Sequence, residues 1–144
     1  MANIVFNIAK GRLAAYADLP LTNDALIMVP LSASGLGSDA TLMDCATLTA
    51  VKAAATEQTT LGRKSLTGVT VTVDNTNDRV NIDCADVTWT ATAGAAIGAV
   101  VICYDGDTTA GTDADIIPLT KHDVSMTPDG SDFTLTISDF ARSS

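Results

Sequence analysis

Between Leu66 and Thr92 the chain reads LTGVTVTVDNTNDRVNIDCADVTWTAT. Apolar residues take alternate positions: Val69, Val71 and Val73, then Val80, Ile82 and Cys84, then Val87, Trp89 and Ala91. A period of two is that of a strand with one buried and one solvated face. The five polar residues Asp74–Asp78 separate two such runs and predict a hairpin. Thr88, Thr90 and Thr92 are expected to point outward, and Trp89, the only tryptophan, to anchor the core. Two runs break the alternation. Ala25–Leu31 (ALIMVPL) and Ile97–Tyr104 are almost continuously apolar, which predicts strands covered on both faces, the second of them central. Pro30 places the first at a sheet edge or at the strand's end. Shorter alternations at Ile4, Phe6 and Ile8, at Ile116–Thr120, at Val124 and Met126, and at Phe133, Leu135 and Ile137 complete the set.

One stretch reads differently. Within Asp39–Thr56, Leu48, Val51 and Ala55 recur at helical spacing beside the good helix formers Ala53 and Ala54, with Asp39 and Asp44 as capping candidates. One short helix over about 44–56 is predicted. Eight or nine short strands with turn signals between them give a mainly β fold, a β-sandwich or barrel-like domain. The 144 residues fit a single domain, 1–144, large enough to bury roughly two thirds of its unfolded surface. Residues 1–12 are readable as an ordinary first strand or as an arm reaching a partner.

Composition narrows the function. The net charge is −9 with only eight Lys and Arg, scattered along the chain, so nucleic-acid binding is not expected. Sixteen of the seventeen acids are aspartate, which favours turns over helix surfaces. No apolar run reaches eighteen residues, so no membrane-spanning helix is expected. The first residues, MANIVFNIAKGR, lack the basic start and cleavage site of a signal peptide. Cys45, Cys84 and Cys103 form no CxxC pair and are odd in number; they are expected as free, buried thiols in a chain assembled in a reducing cytoplasm.

Candidate chemistry is sparse. His122 is the only histidine, in LTKHDVS, and is expected at the surface or in a turn. One histidine and three dispersed cysteines do not make a zinc site. Asp105, Asp107, Asp113 and Asp115 lie within one glycine-bearing loop and are a weak candidate for calcium, although they do not follow the EF-hand pattern; ordinary turn chemistry explains them as well. No cofactor is expected. For binding a partner, the candidates are the apolar and basic opening segment, Ile4, Phe6, Ile8, Lys10 and Arg12, and the only adjacent basic pair, Arg63 and Lys64.

The order DNTNDRV, DVTWT, an apolar strand ending in CYD, then TDADIIPLT, together with KGR and YADLPLTNDALIMVPLSASGL near the start, resembles small virion structural proteins of tailed bacteriophages, of the kind that decorate or cement the head. The likeness runs from about Lys10 to the end and rests on turns and core positions, so it transfers no functional residue. It implies a non-enzymatic protein on the capsid exterior, assembled in the host cytoplasm, with the major capsid protein and further copies of itself as partners. Another virion module, a head fibre, tail tube or adhesin, is the alternative.

Overall fold

The two continuous apolar runs pair with each other. In the computed structural model, which describes residues 2–144, strand β2 (Ala25–Ser32) lies antiparallel to β7 (Ile97–Asp105), from Ala25 opposite Asp105 to Ser32 opposite Ile97. β8 (Ile117–Met126) flanks β7, and two-residue strands close the ends: β1 (Ile4–Val5) beside β8 and β3 (Lys64–Ser65) beside β2. The resulting sheet has the order β1-β8-β7-β2-β3, with β7 at its centre as its sequence predicts. Pro30 lies where β3 has ended. Its carbonyl accepts from Gln58 N at 2.8 Å, so its ring nitrogen, which has no proton to give, also faces this strand-free side.

Both faces of this sheet are covered. On one side Leu26, Met28, Val100, Ile102 and Tyr104 meet two smaller antiparallel sheets. The first contains β4 (Thr70–Asp74), β5 (Arg79–Asp83) and β10 (Ala141–Ser143), in the order β10-β5-β4; the second pairs β6 (Val87–Trp89) with β9 (Phe133–Leu135). Their contribution to the shared core is Ile82, Cys84, Val87, Trp89 and Ala141, together with Phe140 from the turn before β10. Trp89 is fully buried, stacks on Phe133 at 5.1 Å between ring centroids, and donates from Nε1 to Gly62 O at 3.2 Å. On the other side Ile27, Val29, Leu31, Val101 and Cys103 meet helices α2 (Asp39–Met43) and α3 (Leu48–Ala54) through Leu42, Leu48 and Val51. The fold is therefore mainly β and sandwich-like, with a helical layer on the second face of its large sheet.

Three local expectations change. The helix expected over about 44–56 is the shorter α3, and a second helix, α2, precedes it, because Ser38 and Thr47 each take an extended backbone and cap a separate turn, accepting from Thr41 N and Ala50 N at 3.2 Å. A further helix, α1 (Leu13–Ala17), forms in the opening region and buries Leu13 and Ala17, four residues apart on one face. The strands expected at Ile116–Thr120 and around Val124 are one strand, β8, and the described residues form ten strands in all. β8 runs on through a register shift between Ile102 and Cys103: Thr120 faces Ile102, Pro118 faces Cys103, and Leu119 is the extra residue.

Candidate interaction surface

The opening segment is fastened to the chain's own sheet. Ile4 stands opposite Lys121, Phe6 N donates to Leu119 O at 3.0 Å, and both Ile4 and Phe6 are buried in the core under the helices. Ile8 is half-buried in a 3-10 turn, Asn7–Ala9, where the strand alternation has ended. The apolar half of the predicted partner-binding segment is thus part of this fold's interior. The basic half, Lys10 and Arg12, is exposed.

Arg63 is committed as well. It donates from Nε and Nη2 to the two carboxylate oxygens of Glu57, at 2.7 and 2.8 Å, and from Nη1 and Nη2 to those of Asp113, at 2.8 and 3.0 Å. Lys52 on α3 reaches the same two acids, at 2.8 Å to Asp113 and 3.2 Å to Glu57. The Arg63 guanidinium, with partial burial opposing it, holds both carboxyls below their usual range, and those acids in turn raise Arg63. Lys64, its neighbour, is half-buried on β3 opposite Met28.

The acidic loop does not gather into a cation cage. Asp113 is held by Arg63 and Lys52, Asp105 accepts from Asp107 N, Asp107 from Thr109 N and Oγ1, and Asp115 from Thr112 N. These are turn and ion-pair roles, and among the described residues no three His, Cys, Asp or Glu side chains converge as metal ligands. The three cysteines are free and buried, as expected; burial pushes the Cys84 thiol up to about 11 and raises Cys103 further.

Two features escaped the sequence. Lys121 is completely buried, with Nζ 2.8 Å from Asp39 Oδ1 at the start of α2 and 2.6 Å from Asp123 Oδ1. The Lys121 ammonium also holds the Asp39 carboxyl below its usual range, chiefly through that hydrogen bond. Nothing in IPLTKHDVS distinguishes this lysine from a surface one, since the bulge at Leu119 decides its face. His122 lies mid-strand rather than in a turn. It is half-buried, its Nε2 is 2.9 Å from Thr120 Oγ1, and burial, aided by the neighbouring Lys121 charge, lowers its pKa. It lines a cleft of about 390 Å³ between β7, β8 and the segment 135–140, whose walls include Met28, Val100, Ile102, Val124 and Phe140.

Five of the eight basic side chains therefore hold carboxylates: Lys52, Arg63, Arg79, Lys121 and Arg142. Lys10, Arg12 and Lys64 form no ion pair among the described residues, and Lys10 and Arg12 sit together at the exposed entry to α1. On a surface of net charge −9 they are two exposed cations, and Lys10 Nζ donates to Asn7 Oδ1 at 2.7 Å. No helix is long and apolar enough to cross a membrane. No protein-family model, no curated protein and no solved structure matches the chain.

Proposed function

We propose that this chain is a bacteriophage head decoration protein, which binds the capsid exterior and stabilises the shell by adding contacts between subunits. The observation that carries the reading is the likeness of its turn and core segments to small virion structural proteins, set on a fold whose large sheet is buried on both faces. Such packing supports the rigidity that a bound cement needs, and the acidic surface supports solubility at high copy number. The major capsid protein is the partner, and Lys10 and Arg12 supply a point of contact whose charge is not already spent within the fold. The protein acts by binding and performs no turnover; its copies assemble in the host cytoplasm and end on the capsid exterior.

Mixing purified protein with undecorated heads tests this. Saturable, stoichiometric co-sedimentation is expected, weakened in the Lys10→Glu, Arg12→Glu double variant and weakened by added salt. Protein that remains in the supernatant at every ratio refutes the reading.

A further inference from the structure

Strand β4 is the outermost strand of the three-stranded sheet. It pairs with β5 on one side, from Thr70 opposite Asp83 to Asp74 opposite Arg79, and with no strand on the other. The other strands of five or more residues are enclosed or screened. β5 and β7 lie between neighbours, β2 is continued beyond β3 by backbone bonds from Ser32 and Gln58, and β8 is screened by β1, by Phe6 N and by the Asn3 side chain bonded to Asp123 N. Along β4, every second backbone N–H and C=O faces outward without a strand to receive it.

Open edges are normally guarded by lysine, proline, a bulge or an inward charge. This one has no such guard. From Leu66 to Val73 there is neither charge nor proline, and the β4–β5 register runs without a shift. Val73 is 66% exposed, one of two large apolar side chains so exposed among the described residues. The single charge at the strand's end, Asp74, is neutralised by Arg79 at 3.2 Å and tied into the turn by Thr76 N and Asn77 N.

Two copies of a chain with net charge −9 repel each other over most of their surface. The β4 edge is locally neutral and self-complementary. In an antiparallel pair about a two-fold axis at Thr72, Thr72 meets its own counterpart, Val71 meets Val73, and Thr70 meets Asp74, so no two aspartates face each other. This register satisfies the outward backbone groups and sets valine against valine across the strands.

We propose that β4 is a self-association edge, on which a second copy of this chain adds its own β4 antiparallel to make one six-stranded sheet. The inference extends the self-association contained in the decoration reading by naming its surface. It is tested without heads, so that loss of dimer and loss of head binding are read apart. A five-residue edge contact is small beside a standard interface, so the dimer forms with rising concentration.

Light scattering and sedimentation of the purified full chain are expected to show a mass rising from 14.8 kDa towards twice that value. Val73→Lys is expected to raise the dissociation constant by roughly tenfold or more. Its circular dichroism and denaturation midpoint should stay unchanged, because the side chain is exposed. Thr72→Cys is expected to cross-link to a covalent dimer on mild oxidation, since directly opposite residues of an antiparallel pair have Cα atoms about 4.5–5.5 Å apart, within disulfide range. Thr88→Cys, exposed on β6, is expected not to. A wild-type chain that stays at 14.8 kDa at every concentration overturns the proposal, even if Val73→Lys abolishes head binding; the edge would then serve a capsid strand. A dimer that survives Val73→Lys while Thr72→Cys fails to cross-link also overturns it.

Discussion

The two faces of the central sheet are covered in different ways. On the sandwich face, the cover is β structure carrying the bulkiest apolar side chains, with Trp89 stacked on Phe133 and Ile82, Cys84 and Val87 around them. Trp89 Nε1 reaches Gly62 O outside the cover, whereas the ion pairs of this cover, Arg79–Asp74 and Arg142–Asp139, join residues within it and tie it to nothing else. On the other face, the cover is two helices of five and seven residues, and each has an ion-pair tie. Lys121 grips Asp39 at the start of α2, and Lys52 links α3 to Asp113 and Glu57, which Arg63 also holds. Helices this short are marginal alone, and they offer a small apolar footprint. Where a cover element buries little, charge fixes its place; where it buries a tryptophan, apolar packing suffices.

The largest expected effect breaks the sandwich face. Trp89→Ala leaves a cavity and an unpaired carbonyl at Gly62, and should cost roughly 3–5 kcal/mol in urea unfolding. A loss under about 1 kcal/mol would show that the tryptophan is not the anchor of that face.

The next effect falls on the helical face. Lys121→Ala removes the ammonium between Asp39 and Asp123, but both carboxylates are about a quarter to a third exposed and can take up water. The expected cost is therefore about 1–3 kcal/mol, below that of a fully buried orphaned charge. Native-state hydrogen exchange should show α2 losing protection while β5 and β6 keep theirs. Equal loss on both faces would contradict the division drawn between them.

The smallest effect is titratable. Arg63→Lys keeps the charge but loses the paired guanidinium contacts to Glu57 and Asp113, and should cost about 1 kcal/mol near neutral pH. Both carboxyls are lowered in the folded chain, so the stability they supply is present above their ordinary values of 4.5 and 3.8 and is lost as the pH falls below them towards the depressed ones. Acidification through that range should loosen α3 before the β6–β9 pair, and Glu57→Gln should flatten the pH dependence. Unfolding midpoints followed by exchange at each pH check both.

Much of the sandwich face was legible. The alternation around Val80–Trp89 marks which side chains turn inward, and the continuous runs 25–31 and 97–104 mark strands buried twice. The alternation overstated one thing: Val71 and Val73 are in phase with the core, yet Val71 is half-buried and Val73 stands in solvent, because β4 is the outermost strand of its sheet, while Val80, opposite Val73 on β5, still packs on the core. The helical face was read less well. The two caps at Ser38 and Thr47 look alike in sequence to many other hydroxyls, and the roles of Lys121, Arg63 and Asp113 depend on partners 50 to 82 residues away.

What the sequence determined by itself is the rhythm of buried and solvated positions, since a strand's two faces follow from its covalent geometry alone. What only the tertiary structure decided is pairing: the bulge that turns Lys121 towards the helices, the docking of Ile4 and Phe6 into the chain's own core, and the choice of β4 as the strand left open. Those outcomes depend on which distant strand lies alongside and in what register, and that is set by the competition of whole faces for burial.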